Sequence, residues 1–177
     1  MLNALPTATH EILMSDEHRH RADIIHRLIV RPVRRTDYDR WRPLWDGYNH
    51  FYGRCGPTAL PEQITATTWE RFHDPAEPIC ALIAEADATI VGLAHSLYHR
   101  STTRLHDVCY LQDLYTAEDA RGLGVGRRLI QAVYAAAQDQ GCSRVYWHTQ
   151  TTNQAGRALY DQIAAHHGFI VYTHDLK

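Results

Sequence analysis

Tyr110-Leu-Gln-Asp-Leu-Tyr-Thr116, then Ala117-Glu-Asp-Ala120, then Arg121-Gly-Leu-Gly-Val-Gly-Arg-Arg-Leu-Ile130 stand in succession, and reading them decides the fold. Residues 108–116 are rich in aromatic and branched side chains, the composition of a buried strand. Glycines follow at 122, 124 and 126, and strong helix formers fill 127–140. Val125, Leu129, Ile130, Val133 and Ala137 recur at helical spacing and form one apolar face. A strand, a short turn and a glycine-rich helix start make a cradle for an anion. The first N–H groups of a helix have no internal partner and sit at its positive end. Glycines remove the Cβ atoms that would hold a phosphate away from those groups.

The spacing narrows the choice of phosphate ligand. A dinucleotide fingerprint needs Gly-x-Gly-x-x-Gly tight against its strand. Here the pattern is Gly-x-Gly-x-Gly, and five residues separate Thr116 from Gly122. No Gly-Lys-Ser/Thr follows, so the loop is not a nucleoside triphosphate P-loop.

Working outward, 177 residues predict one domain with room for a sizeable core. Eighteen basic against 20 acidic residues give a net charge of −2, so no global basic field draws the chain to nucleic acid. No apolar run approaches the ~20 residues that span a bilayer, and the N-terminus lacks the apolar core of a secretory signal. Cys55, Cys80, Cys109 and Cys142 form no Cys-x-x-Cys pair. Free thiols in a reducing cytoplasm follow.

Residues 1–27 carry many charges and histidines with little periodicity, and read as a flexible N-terminal extension before a single domain over 28–177. Within that domain, 28–33 reads as a strand closed by Pro32. Thr36 is placed to cap a helix over 37–52, with Trp41, Leu44, Trp45, Tyr48 and Tyr52 on one face. A second helix is predicted over 64–72, and a hairpin over 79–85 and 89–98 with its turn near Asp87. The key strand and helix come next. A strand over 144–149, a helix over 153–166 and a last strand over 168–174 complete the order.

Arg121-Gly-Leu-Gly124-Val-Gly126 resembles the Arg/Gln-x-x-Gly-x-Gly/Ala loop of the GNAT superfamily of acyl-CoA-dependent N-acyltransferases. Asn153-Gln-Ala-Gly-Arg-Ala-Leu-Tyr160 is similar to that family's Asn-x-x-Ala/Gly-x-x-x-Tyr helix, and Gly168-Phe169 to the pair that opens its sixth strand. The resemblance covers roughly 28–174. It implies an α/β fold with a mixed central sheet, splayed between strands four and five and flanked by helices. It implies acetyl-CoA as acyl donor, and an acetyl transfer to a primary amine by direct attack in a ternary complex, most nearly in the style of the small-amine branch. A small-molecule amine is the expected acceptor; a protein lysine or N-terminus is the alternative. A catalytically weak acyl-CoA-binding sensor is the alternative from another class.

The resemblance also distributes roles. Leu114, Tyr115, Thr116, Arg121, Gly122, Leu123, Gly124, Val125, Gly126, Arg127 and Asn153 would bind the cofactor, with the N–H near Leu114 or Tyr115 polarising the thioester carbonyl. Tyr160 would be the general acid to the departing thiolate; as a bare residue type it reads equally as an aromatic on a helix core face. The base is less direct. The polyamine branch has Tyr-Leu-Glu-Asp where this chain has Gln112, which cannot accept a proton. Asp113 is the next carboxylate, but strand alternation turns it to the opposite face from Gln112 unless a bulge intervenes. Tyr48 and Tyr52, with Gln112 and His148, would line the acceptor side. No metal-ligand pattern stands out, since the His18-Arg-His20 run lacks a helical His-x-x-x-His pair. Finally, an apolar last strand at an open sheet position would pair with a second copy in a homodimer.

Overall fold

The computed structural model describes residues 27–176. The proposed extension therefore lies, but for its last residue, outside the described residues. Five strands form one sheet in the order β1-β2-β3-β4-β5. β1 (Ile29–Pro32), β2 (Ile79–Ala86), β3 (Thr89–His99) and β4 (Val108–Thr116) pair antiparallel, and β5 (Val145–Tyr146) joins β4 parallel. Helices α1 (Tyr38–Phe51) and α2 (Glu62–Arg71) cover one face; α3 (Val125–Asp139) and α4 (Gln154–Ile163) belong to the other.

Each face has its own core. On the first, Trp41, Leu44, Trp45 and Tyr48 of α1 meet Trp69 of α2 and Ile83 and Leu93 of the sheet. Trp41 is fully buried, stacked on Trp45 with ring centroids 5.6 Å apart, and Trp45 donates its indole N–H to Thr65 Oγ1 at 3.0 Å. On the other face the predicted stripe of α3 packs against Leu82, Ala94 and Leu111. Gly92 permits that contact, because a Cβ there would stand 2.9 Å from Val125 Cγ1 and 3.0 Å from Tyr115 O. The β2–β3 hairpin turns at Asp87 and Ala88, both left-handed (φ 47° and 64°), as a two-residue type I′ turn requires.

The start of α1 differs from expectation. Thr36 lies inside a short 3-10 turn (Arg35–Asp37) and caps nothing. The buried Asp37 carboxylate does the anchoring instead: it accepts the Arg34 backbone N–H at 2.8 Å and both terminal nitrogens of Arg31 at 2.7 and 3.1 Å, and it meets Arg40 as well. Arg31 and Arg40 also pair with Glu85 on β2. One ion network thus ties β1, β2 and the first turn of α1 together.

Two departures concern the sheet's far side. The strand expected over 144–149 is only two residues long, because its ladder with β4 ends at Tyr110↔Tyr146 while β4 runs on to Thr116. The sheet is therefore split there. The last strand expected over 168–174 is absent: residues 164–176 form no helix or strand, and Phe169 and Tyr172 are 84% and 88% exposed. A strand needs a neighbour for its backbone groups, and none stands beside this segment within the described residues.

Candidate active site

The site grows from an irregularity in β4. His95 faces Asp113 and Ser96 faces Leu111, so Gln112 is an extra residue with no partner on β3. Such a bulge breaks side-chain alternation. Cys109, Leu111 and Leu114 pack toward α3, whereas Asp113 and Tyr115 turn toward α1. Asp113 thereby takes the face that a regular strand would have given residue 112, and the Gln112 side chain is left exposed.

Asp113 is 7% exposed, and its Oδ2 lies 2.9 Å from Nδ1 of the buried His95. Trp41 Nε1 lies 3.1 Å from His95 Nε2. An indole N–H can only donate, so Nε2 must carry the lone pair, and the ring proton sits on Nδ1, donated to Asp113. The trio is fixed in one tautomer: the imidazole donates to one oxygen of the carboxylate, and the Tyr48 hydroxyl is a second hydrogen-bond partner of the same side chain. Sequence reading missed His95, which sits between Leu93-Ala94 and Leu97 in a largely apolar strand that disguised it as a core residue. Tyr48 stands over this carboxylate, its hydroxyl 3.5 Å from Gln112 O. Burial raises the Tyr48 hydroxyl well above the ordinary phenol range, and the Asp113 charge raises it further. Tyr52 is raised by the same two causes in the same order.

Beyond the bulge the split exposes backbone. Ala117 N–H donates to Val91 O at 2.9 Å, which sets the phase of the β3–β4 ladder. In an antiparallel pair alternate residues turn their groups to the neighbour. Tyr115 therefore faces β3, while the N–H groups of Leu114 and Thr116 point into the gap that β5 has left. Of the two polarising groups the resemblance offered, only the Leu114 N–H points that way.

The gap runs down to the start of α3. Gly122 and Gly124 are left-handed (φ 76° and 80°), Gly124 ends the turn, and nothing lies within 4 Å of where their Cβ atoms would stand. Leu123 and Val125 point inward, 5% and 1% exposed, and pin the loop from beneath. Gly126 lies over Thr116 and Leu159, leaving the first turn of α3 open above. Arg121 reaches back to Thr116 O at 3.4 Å and lies 5.8 Å over the Tyr115 ring. Arg127 is drawn away to Gln162 on α4. Asn153 is an N-cap: its Oδ1 accepts from Gly156 N at 3.1 Å and its Nδ2 donates to Thr149 Oγ1 at 3.0 Å.

Tyr160 closes the far wall. Its ring meets Trp147 edge-on at 5.3 Å, and among the described residues its hydroxyl has no hydrogen-bond partner. Burial, with a smaller contribution from nearby Tyr52, pushes that hydroxyl up to about 12. His148 is exposed just past β5, with Nδ1 3.2 Å from Tyr110 OH. No group of three His, Cys, Asp or Glu able to hold a metal occurs among the described residues.

A split mixed sheet with an anion cradle on one side and a carboxylate and phenols on the other defines an acyl-transfer enzyme. Residues 41–165 match the acetyltransferase (GNAT) family, and the chain belongs to it. A D-amino-acid N-acetyltransferase of Saccharomyces cerevisiae is 35% identical over 140 residues, 78% of this chain and 84% of that protein. A thialysine N-epsilon-acetyltransferase of Bos taurus is 30% identical over 76 residues, 43% of this chain and 44% of that protein. Among solved structures, an aminoglycoside acetyltransferase from an uncultured soil metagenomic sample superposes with a TM-score of 0.73 at 15% identity, over 86% of this chain and 98% of that one. At that identity the likeness shows the fold alone.

Proposed function

We propose that this acetyltransferase moves the acetyl group of acetyl-CoA to the primary amine of a small molecule, by direct attack in a ternary complex. The observation that carries the reading is the split itself. The Leu114 N–H, the free Tyr160 hydroxyl and the Asp113 carboxylate belong to one region, continuous with the glycine cradle. The first N–H groups of α3 suit a pyrophosphate, and the strand edge suits an amide-bearing arm. The names of the yeast and bovine relatives support a small amino-bearing acceptor.

In this reading Asp113 takes the proton of the acceptor's ammonium, directly or through one water, and the nitrogen lone pair forms a C–N bond to the thioester carbon. The Leu114 N–H holds the carbonyl oxygen as charge develops on it. The C–S bond then breaks, its electron pair staying on sulfur. Tyr160 donates a hydrogen bond to that sulfur; with its pKa near 12, against about 8.5 for an ordinary thiol, it eases departure more than it delivers a full proton. The second N–H proton of the attacking amine balances the thiol. Release of free CoA thiol with a panel of small amines tests the reading. Amine-dependent release is expected; acetyl-CoA binding without release by any amine would make the protein a sensor module.

The same reading extends to assembly as a homodimer. Phe169, Ile170, Val171 and Tyr172 form an exposed apolar segment, while among the described residues β5 has a neighbour on one side only. Addition of this segment to the open edge of a second copy would satisfy backbone groups and bury those side chains. Light scattering on wild type should give twice 20.3 kDa, and Phe169→Glu with Val171→Glu should give a monomer. A monomeric wild type would end the idea.

A further inference from the structure

Just beyond α1, Arg54 is held in an unusual way for an arginine at the surface. Its guanidinium carbon lies 5.5 Å from the Tyr48 ring centre and 5.4 Å from that of Tyr52. Its Nε donates to Asn49 Oδ1 at 2.7 Å, and its backbone N–H donates to Asn49 O at 2.9 Å. Asn49 is itself buried and tied to Trp45 O at 2.8 Å. The fork is thus fixed through Nε and through both aromatic faces, at an entropic cost that a freely solvated side chain avoids. Yet among the described residues Arg54 forms no ion pair, and its two terminal nitrogens have no hydrogen-bond partner.

A fixed anion lies on the other side of the same tyrosine. Tyr48 has the guanidinium over its ring and its hydroxyl beside Gln112 O, next to Asp113. Burial raises both tyrosine hydroxyls, the Asp113 charge adds to that rise, and Arg54 opposes it, so both charges act on both phenols. The two charges do not pair with each other; an aromatic ring holds them apart. Two fixed, opposite charges set about the same pair of tyrosines, and not paired with each other, are complementary to a zwitterion. A fork with two free nitrogens matches a carboxylate bidentately.

We infer that Arg54 reads the α-carboxylate of the acceptor while Asp113 receives its ammonium, so that the substrates are free α-amino acids. This rests on the acetyltransfer proposed above and names its acceptor class. Neither group reads the side chain, so preference among amino acids, and between their mirror forms, falls to Tyr52, Tyr110 and the loops around them.

The test uses the full chain, as wild type and as Arg54→Gln and Arg54→Lys, with D- and L-phenylalanine against phenylalaninamide. The amide keeps the amine and ring and loses only the negative charge. Wild type should favour the acid form of at least one enantiomer by about tenfold or more in kcat/KM, the range of one charge-assisted pair. Arg54→Gln should lose that preference through a higher KM for the acid, with the amide and the KM for acetyl-CoA within about twofold; Arg54→Lys, charged without the fork, should fall between. Equal use of acid and amide by wild type overturns the inference and leaves acetyltransfer standing. So does an equal loss on both, or a loss expressed in the KM for acetyl-CoA. Absence of turnover with every amine overturns the acetyltransfer instead. In that case a rise in Tm with phenylalanine that Arg54→Gln abolishes supports the zwitterion pocket, and no such rise overturns it.

Discussion

Replacing Asp37 by asparagine removes the negative centre of the network at the foot of α1. The carboxylate is fully buried and held by Arg31, whose side chain is 13% exposed, by Arg40 and by the Arg34 N–H. Hydrogen bonding from Arg31 is the largest cause that lowers its pKa, against burial, from 3.8 to about 2. A difference from 3.8 to about 2, at 1.36 kcal/mol per pH unit, amounts to about 2.4 kcal/mol. Because the folded value lies below the unfolded one, this stabilisation is complete above pH 3.8 and is lost as pH falls toward 2. At neutral pH the cost of Asp37→Asn should be about 3 kcal/mol, the low end for a broken buried pair, since Arg31 and Arg40 keep Glu85. Urea unfolding at a series of pH values between 7 and 2.5 reads both effects. Wild type should lose roughly two-thirds of the 2.4 kcal/mol by pH 2.5, and the variant should lack that component. Parallel pH curves for the two proteins would refute the reasoning. Tyr48 and Tyr52 lie at the opposite end of α1, so the kinetics of the folded variant should stay within about threefold of wild type.

Tyr160→Phe should bind acetyl-CoA normally and lower turnover by about 10²-fold; because burial holds the hydroxyl at about 12, the wild-type rate should show no alkaline fall assignable to Tyr160 up to roughly pH 11, and a limb near pH 10 that vanishes in the variant would contradict this. Gly126→Val would push methyl groups toward Thr116 and Leu159 and across the open first turn of α3, so the rise in Tm with acetyl-CoA should disappear; an undiminished rise in a folded variant would remove the loop from the binding site. Trp41→Phe leaves His95 Nε2 buried without its donor, at a cost of about 2–4 kcal/mol; an unchanged urea midpoint would show that the indole bond contributes nothing.

The elements legible in the sequence are those whose apolar period is long and unbroken. Trp41, Leu44, Trp45 and Tyr48 mark α1, and Val125 to Ala137 marks α3, because each stripe packs where its spacing points. The glycine turn was legible too, since closely repeated glycines favour a loop that must go left-handed, as Gly122 and Gly124 do. The short β5 was not, because Tyr146 to Thr149 has a strand's composition but leaves its partner for reasons of sheet geometry. Nor was the fate of residues 168–174, whose composition suits a strand but which have no strand partner among the described residues. His95 and Arg54 escaped for a different reason. One depends on an indole 54 positions away, and the other on a fold-back of residue 54 onto Tyr48, Asn49 and Tyr52 just past the helix end, which the letters alone do not announce.

The extra residue in β4 has a bearing on how any kindred chain is to be compared with this one. Below position 112 the odd residues, Cys109 and Leu111, belong to one side of the sheet; above it that side belongs to the even residue Leu114. Parity, not letter, decides which side chains turn toward α1. A column-by-column comparison would set Gln112 against a glutamate elsewhere and conclude that this protein had lost its proton acceptor. Counted by face, position 113 stands where a regular strand would have put position 112, which is why the proposed acceptor is Asp113.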